Sequence, residues 1–500
     1  MKFKDNVKMD NQQKELVQNI PQKEDKINYE NTEMQSQSDE LVDKLQADIV
    51  NSGSRLLAGF RGENRGLWNY VKPKTDTGTD PVRAAEVSIK ELQDFQYTIG
   101  FAGGQSAGKS TVVNALLKYP LMPTCQIVTT CTPVELFYGE RIRILVSDAY
   151  TGKILLDYPC DRATDSDFQK LKEYTCTLSA LPQVIENLQP FVKGYIGGYD
   201  TGIKPDQLEM QKDNPRHVAI LMMILLTVYV TQNLEELTHK QRALNQLRDR
   251  TLKYFKIPAN VPNIAVHIQW NSSILKSGLK ILDLPGLGSN AEDKELDDGS
   301  ILDGHTKITK KAIVDTKTMV VVQDPFVLGS VWEAVKEMVS NLLAREVVVE
   351  NCIIPVLNKF DMCNGSAGQQ SALSTYISDL KNLGVKKEVK DVFPLSAIYG
   401  EYAYEDCPDK SRTMYVQKAL QGVTDQDYIN DIMYMKPREL KREYEKSGVE
   451  ELREFFRTTF IERGKLESSL SVVAEIKSLE SGIRAEIIAQ KKMYEGFVGA

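Results

Sequence analysis

Three stretches of the chain carry apolar residues at the three- and four-residue spacing of an amphipathic helix. The first follows Ser38, a residue type favoured at helix N-caps, and the second begins at Pro81, a residue type favoured at the first helical position. The third follows Gly464 and continues to Phe497 without a stop signal. The apolar positions are Leu41, Val42, Leu45 and Ile49, then Val82, Ala85, Ile89 and Leu92, and finally Leu466, Leu470, Val473, Ile476, Leu479, Ile483 and Ile487. We expect these three faces to meet as a helical bundle, with separate packing of each helix on a sheet as the alternative.

Between the second and third stretches, from Tyr97 to about Ile461, short β-rich runs alternate with helical patterns. Such alternation predicts an α/β domain with a mixed, mostly parallel sheet between helices. The longest apolar run, Val218 to Val230, is shorter than the about 18–20 residues of a membrane-spanning helix, so we interpret it as a buried core helix, with a membrane-inserting loop as the alternative. The predicted segments are a disordered tail at 1–35, N-terminal helices at 36–95, the α/β domain at 96–462 with a helical insertion at about 139–263, and a long C-terminal helix at 463–500.

Composition narrows the functional class. The chain has 500 residues and a formal net charge of −7, which argues against broad nucleic-acid binding, although a local basic patch could still contact anionic lipid. Its seven cysteines form no C-x-x-C pair, and no signal-peptide pattern is present, which favours a cytoplasmic location. The four histidines show no metal-ligand spacing, so no zinc site is expected.

The most specific motif lies between a β-rich run that ends at Ala102 and a helical run from Val112 to Leu117. It matches the phosphate-binding pattern G-x-x-x-x-G-K-[ST]. The residues predicted to contact the nucleotide here are Gly103, Gly104, Gln105, Ser106, Ala107, Gly108, Lys109, Ser110 and Thr111. Glycines allow backbone N–H groups to converge on a phosphate, the following helix adds the positive end of its dipole, and Lys109 reaches the β- and γ-phosphates. The sequence therefore predicts a nucleoside triphosphate site.

The second motif, N-K-F-D at residues 358–361, follows an apolar run at residues 352–357 and so lies at the carboxyl end of a buried strand. The Asp361 carboxylate can accept hydrogen bonds from the ring N–H and the exocyclic amine of guanine. Adenine presents a lone pair at that ring nitrogen and would leave the carboxylate unpaired. Asn358 is expected to brace the loops, and the stem of Lys359 is expected to lie against the base. This motif favours GTP and disfavours a P-loop ATPase.

Two shorter motifs complete the predicted site. The sequence D-L-P-G begins at Asp283, where an apolar run ends. Asp283 and Ser110 are expected to hold Mg²⁺, and the Gly286 N–H is expected to sense the γ-phosphate. Farther along, Ser396 and Ala397 follow a short strand, and their backbone is expected to contact the guanine O6, with an ordinary strand-to-loop exit as the alternative. Together the four motifs predict a site for GTP and Mg²⁺.

These residues resemble the dynamin superfamily of large GTPases. The loop G-G-Q-S-A-G-K-S at residues 103–110 is similar to the dynamin form letter for letter, and D-L-P-G also matches. A Met-Pro pair and the later Pro133 flank Thr130 as prolines flank the switch threonine of the family, with Thr129 as the immediate alternative. The N-K-F-D motif has Asn where dynamins proper usually carry Thr. The resemblance covers roughly residues 80–465 and implies a P-loop GTPase domain beside a flanking α-helical neck bundle.

The resemblance also implies how GTP would be hydrolysed to GDP and phosphate. Small GTPases orient the attacking water with a Gln just after D-x-x-G, and here that position is Leu287. The catalytic residues that the family implies instead are Gln105, Ser106, Lys109, Thr130 and Gly286. Gln105 and Ser106 would place the water and stabilise developing charge, while Thr130 would complete the Mg²⁺ site and fix the water through its backbone. A monovalent cation, which dynamins recruit with glycine-rich switch backbone, is disfavoured because Cys125 and Ile127 occupy the corresponding positions.

Partners follow from the same resemblance. It implies a homodimer or higher homo-oligomer formed across the nucleotide face, and a peripheral lipid membrane that the protein would remodel. The alternative is a soluble GTP-dependent switch or scaffold that dimerises without touching lipid. No nucleic-acid partner is expected.

Overall fold

The computed structural model describes residues 29–61, 81–104, 107–119, 121–122, 133–180, 213–230, 253–257, 264–284, 294–295, 301–302, 316, 318–326, 353–363, 365–382, 384–401, 442 and 444–498. The chain divides into two compact units, Phe95–Gly464 and the combination of Met1–Asp94 with Lys465–Ala500. Most of the predicted tail at 1–35 lies outside the described residues.

Strands and helices alternate along the larger unit. The strands are β1 Tyr97–Gly103, β2 Val134–Tyr138, β3 Arg143–Asp148, β4 Ile154–Pro159, β5 Ile264–Trp270, β6 Leu279–Asp283, β7 Lys294–Glu295, β8 Ile301–Leu302, β9 Thr318–Gln323, β10 Ile353–Leu357 and β11 Phe393–Pro394. Within the residues that the structure describes, the α-helices of both units are α1 Tyr29–Arg61, α2 Pro81–Gln93, α3 Lys109–Leu117, α4 Asp165–Ala180, α5 Pro215–Val230, α6 Ser273–Lys276, α7 Gly365–Asn382, α8 Ala397–Glu401, α9 Val449–Phe456 and α10 Arg463–Val498. Between α9 and α10 the backbone forms a π-helical turn at Arg457–Glu462.

Nine strands form one sheet in the order β11-β10-β9-β1-β6-β2-β5-β3-β4. The neighbours from β11 to β6 are all parallel, as are β2 and β5, whereas β2 is antiparallel to β6 and β3 is antiparallel to both β5 and β4. The predicted α/β class with a mixed, mostly parallel sheet is therefore confirmed.

The register of the parallel strands brings their carboxyl ends to one edge of the sheet. Phe101 of β1 lies beside Asp283 of β6, and Gly103 lies beside Val322 of β9. On the other side, Leu357 of β10 is paired with both Gln323 and Pro394. Because ligands of open α/β sheets bind outside the carboxyl ends of the strands, this edge is where the predicted motifs should converge.

Helix α5 is the apolar run interpreted above as a core helix. The side chains of Val218, Leu221 and Met222 are fully buried in the main hydrophobic core, together with β5 and α3. That interpretation is confirmed for the described side chains. Among the helices that the structure describes, none is both long enough and apolar enough to cross a membrane.

The predicted helical insertion at about 139–263 is wrong in its first part. Residues 143–159 form the hairpin β3–β4, which extends the sheet beyond β5. The physical reason lies in the period-two burial of β3, in which Ile144 and Val146 are fully buried while Arg143 and Leu145 are partly exposed. The helical lobe expected near residues 233–254 lies almost wholly outside the described residues.

The smaller unit contains α1, α2 and α10, which share one hydrophobic core. The core residues are Leu57, Val82, Ala85, Ile89, Leu92, Val472 and Leu479. Gln46 of α1 donates a hydrogen bond to the carbonyl oxygen of Leu92 at the end of α2. The three amphipathic helices therefore meet in a common core, as expected for a helical bundle.

The start and the outer face of α1 differ from expectation. The helix begins at Tyr29, nine residues before Ser38, so Ser38 is not its N-cap. Leu41 is 68% exposed and Leu45 is 42% exposed, whereas Val42 is buried. Since successive helical residues point about 100° apart, the buried face is centred one position away from the predicted one.

The first half of the predicted α10 stripe is also displaced by one residue. Leu466 and Leu470 are exposed, and the buried positions are Lys465 and Ser469. The Lys465 ammonium forms an ion pair with the Asp43 carboxylate at 2.6 Å. A lysine can bury its apolar stem while its ammonium reaches a partner, and hydropathy patterns do not show this.

Candidate nucleotide-binding site

The phosphate loop joins the end of β1 to the start of α3. At its last position Gly108 has a φ of 87°, the left-handed conformation that favours glycine. A Cβ added there would come within 2.2 Å of the Asn358 side-chain nitrogen. Gly108 is therefore needed both for the backbone turn and for close packing against the base loop. Thr111 follows on the first turn of α3.

The Lys109 ammonium lies inside the loop. Its Nζ donates hydrogen bonds to the carbonyl oxygens of Gly103 at 3.3 Å and Gly104 at 3.1 Å. Burial lowers the pKa of Lys109, and the nearby Asp283 carboxylate opposes that shift only in part. A buried cation held by weak carbonyl acceptors is suited to exchange them for anionic phosphate oxygens.

Ser110 and Asp283 meet at the end of β6. The Ser110 hydroxyl donates a hydrogen bond to Asp283 Oδ2 at 2.7 Å, and both residues are buried. A hydroxyl and a carboxylate in contact form a set of hard oxygen donors, which is the ligand type that Mg²⁺ prefers. These two residues therefore fit the predicted metal site.

Asn358 connects three of the predicted motifs. Its Nδ2 donates to the carbonyl oxygen of Ala107 in the phosphate loop, and its Oδ1 accepts from the backbone N–H of Ala397, both at 3.1 Å. Its own backbone N–H donates to the carbonyl oxygen of Gln323 at the end of β9. One buried side chain thus fixes the phosphate loop relative to both base loops.

The remaining base residues lie together at the ends of β10 and β11. The backbone N–H of Asp361 donates to the Ser396 hydroxyl at 3.2 Å, and that of Phe360 donates to the carbonyl oxygen of Leu395 at 3.0 Å. Ser396 was predicted through its backbone alone, so its side-chain contact with the N-K-F-D loop is an additional finding. The structure brings Asp361, Ser396 and Ala397 into one group.

Asp324 is a residue of this edge that the sequence analysis missed. It follows β9 directly, is buried, and accepts a hydrogen bond from Lys359 Nζ at 2.5 Å. Burial, and then the Asp361 and Asp324 carboxylates, raise the pKa of the Cys363 thiol, so both acids lie near the same side chain. The available signal was an acidic residue immediately after an apolar strand.

Several predicted residues lie outside the part of the chain that the structure describes. They are Gln105, Ser106, Thr129, Thr130, Gly286, Leu287, Cys125 and Ile127. The roles predicted for them, including the choice between the two threonines, stay predictions.

Comparison with known proteins gives the family. The model of the Dynamin family matches residues 99–351, which are 253 of the 500 residues. This chain belongs to the dynamin family. The dynamin resemblance seen in the motifs is thereby confirmed, and the family is one of large GTPases.

Individual relatives of this dynamin-family chain match less extensively. Dynamin-like protein A of Bacillus subtilis (strain 168) is 34% identical over 86 residues, which are 17% of this chain and 7% of that protein. Two solved structures of an oligomerised bacterial dynamin pair, described in connection with long-range sensing and tethering of membranes, cover 91% of this chain at 14% and 15% identity, with TM-scores of 0.41 and 0.43. The chain spans 57% and 49% of those two structures.

Proposed function

We propose that this protein binds GTP with Mg²⁺ at the carboxyl edge of the sheet and hydrolyses it to GDP and phosphate. The observation that carries the proposal is the double contact of Asn358. Its amide joins Ala107, 251 positions away in sequence, to Ala397, 39 positions away. Loops so distant in sequence are held in one group at the edge where α/β sheets bind ligands. Membership of a family of large GTPases supports the same conclusion.

In this proposal the phosphate loop exchanges internal contacts for ligand contacts. Lys109 gives up the carbonyls of Gly103 and Gly104 for β- and γ-phosphate oxygens, and the anionic charge compensates its burial. Ser110 and Asp283 are the residues that would hold Mg²⁺. When bound, Mg²⁺ would neutralise charge on the β- and γ-phosphates.

The base side supplies specificity. The Asp361 carboxylate accepts the ring N–H and the exocyclic amine of guanine, and the backbone of Ser396 and Ala397 faces O6. Lys359 lies against the base. Because adenine cannot donate from that ring nitrogen, ATP would leave the carboxylate unpaired.

For hydrolysis we retain the roles that the family implies. Gln105 and Ser106 position the attacking water and stabilise developing charge, Thr130 fixes the water through its backbone, and Gly286 responds to the γ-phosphate. The chemistry is then mainly positioning and electrostatic stabilisation, which suits a site without a Gln after D-x-P-G.

Calorimetric titration of the purified chain with GTP and ATP, with and without Mg²⁺, tests the binding proposal. We expect GTP to bind, ATP to bind at least about a hundredfold more weakly, and Mg²⁺ to strengthen GTP binding. Equal affinity for ATP, or no response to Mg²⁺, would contradict the assignment. Phosphate release from GTP, measured in parallel, tests hydrolysis.

We also propose that the protein dimerises across the nucleotide face and acts on a lipid membrane. The support is the dynamin family itself, whose model matches residues 99–351 and whose resemblance implies a homo-oligomer at a peripheral membrane. Flotation with anionic vesicles and phosphate release at increasing protein concentration test this. Flotation together with faster turnover per molecule on vesicles is expected. Concentration-dependent turnover without flotation would instead identify a soluble GTP-dependent switch.

A further inference from the structure

Asp324 has a place at the nucleotide edge that the motifs do not explain. It is 3% exposed and follows the last residue of β9. Its Oδ1 accepts a hydrogen bond from the backbone N–H of Phe326 at 2.8 Å, and its Oδ2 accepts one from Lys359 Nζ at 2.5 Å. The first contact fixes the carboxylate within its own turn. The second directs it at the lysine of the base loop.

The contact is more than the sheet needs. Strands β9 and β10 are already joined by a five-pair backbone register, from Ile353–Met319 to Leu357–Gln323. The backbone N–H of Asn358 extends that ladder by donating to Gln323 at 2.9 Å. Burying a carboxylate costs free energy, and an ion pair with a partly exposed lysine returns little of it as stability. A role in the site explains the charge better than a role in the sheet.

Lys359 is the side chain that would benefit from an anchor. Its backbone is left-handed, with a φ of 58°, and its side chain is 34% exposed. A free lysine stem samples many rotamers, and ordering it on ligand binding costs free energy. With its ammonium held by Asp324, the four-carbon stem is fixed before the base arrives.

We propose that Asp324 is a positioning residue of the guanine site, which holds Lys359 so that its stem forms one wall for the base. The inference rests on the proposed function and extends it by one residue. Asp324 acts through Lys359 and does not itself contact the base. Its effect should therefore concern the base and leave the phosphates unaffected.

The test uses Asp324→Asn in the full chain, because asparagine keeps the shape and can still accept from Phe326 while losing the charge. GTP affinity should fall about fourfold, the effect of losing roughly one buried methylene contact. Inorganic tripolyphosphate, used as a competitor that lacks the base, should bind as it does to the unmodified protein. Asp157→Asn, which breaks the Arg143–Asp157 pair of the hairpin β3–β4, is the matched control and should change neither affinity.

A double-mutant cycle supplies the second measurement. Lys359→Met keeps an apolar stem without an ammonium, so adding Asp324→Asn to it should cause no further loss of GTP affinity. Unchanged or stronger GTP binding by Asp324→Asn overturns the inference. So does an equal loss of tripolyphosphate binding, or additive effects in the cycle. If the unmodified protein fails to bind GTP, the proposed function itself is wrong, which is a different result.

Discussion

The candidate site has two halves. The phosphate half consists of the phosphate loop and Asp283, and the base half consists of residues 358–361 with Asp324, Ser396 and Ala397. The contacts of the two halves are organised in opposite ways. In the phosphate half, Lys109 donates hydrogen bonds to loop carbonyls and Ser110 donates one to Asp283, so the groups that would bind phosphate or metal are held in hydrogen bonds within the protein. In the base half, Asn358 and Asp324 make contacts within the protein that hold the loops in position. A ligand would replace the first set of contacts and retain the second.

This difference has an energetic consequence. Exchanging internal hydrogen bonds for ligand bonds yields only the difference between them, whereas a prearranged pocket avoids most of the ordering cost. We therefore expect the phosphate half to supply charge and to change on binding. The base half should supply selectivity and change little.

The largest expected effect is in the phosphate half. Lys109→Ala removes the only cation in the described part of the phosphate loop, which we propose binds the phosphates, and GTP affinity should fall by about a thousandfold or more. Calorimetric titration measures this. Lys118→Ala, which breaks a pair with Glu450 just beyond the C-terminal end of α3, is the matched control and should bind GTP normally. Retained affinity in Lys109→Ala would show that the loop does not bind phosphate.

The next effect tests selectivity in the base half. Asp361→Asn replaces an acceptor with an amide that can donate, which suits the carbonyl of xanthine in place of the guanine amine. The ratio of GTP to XTP affinity should shift toward XTP by about a hundredfold. Competition titrations with both nucleotides measure the ratio. An unchanged ratio would show that Asp361 does not contact the base and that the base half does not supply the selectivity.

Asn358→Ala breaks the connection between the halves. It leaves the Ala107 carbonyl and the Ala397 N–H without this partner, at a cost of about 1–3 kcal/mol for each buried group. GTP affinity should fall about tenfold or more because the two halves lose their relative position.

Asn114→Ala is the control for that loss of stability, because Asn114 makes a similar buried double contact with the backbone of Met122. Chemical denaturation should show comparable destabilisation of the two variants, and GTP titration should separate them. If both variants lose the same GTP affinity, Asn358 acts through general stability and does not join the halves.

Sequence alone predicts the motifs of both halves, and the bracing role of Asn358 between them, better than it predicts contacts of isolated residues. The phosphate loop and Asp283 could be assigned because fixed spacings follow apolar strands, and parallel strands bring such ends together. Asp324 could not, because a single acid has no spacing to recognise and its partner Lys359 lies 35 positions away. The predicted buried face of α10 was displaced for a related reason, because the Lys465–Asp43 ion pair joins residues 422 positions apart.

The strands beside the two halves also differ in their contacts, which involve charged groups on one side and a neutral hydrogen bond on the other. Beside the phosphate half, Glu135 of β2 accepts from His267 Nδ1 at 2.6 Å and pairs with Lys280, while His267 Nε2 lies 2.8 Å from the Ser147 hydroxyl. Behind the base half, strand β9 is held by a neutral hydrogen bond from the Tyr376 hydroxyl to the carbonyl oxygen of Val321. Only the first arrangement should respond to acid.

The smallest predicted effect follows from that network. Burial alone would raise the pKa of Glu135, but hydrogen bonds and charges from His267 and Lys280 outweigh it and lower the pKa. A depressed carboxyl pKa gives stability that is present above the ordinary value of 4.5 and is lost as pH falls through the folded-state pKa. The free energy of unfolding should therefore fall on acidification, and Glu135→Gln should reduce that fall by about 1 kcal/mol. Urea unfolding from about pH 7 to about pH 3 measures it. The surface variant Glu388→Gln should lose as much stability on acidification as the unmodified protein. If Glu135→Gln loses as much stability on acidification as the unmodified protein, the strands beside the phosphate half are no more sensitive to charge than those beside the base half.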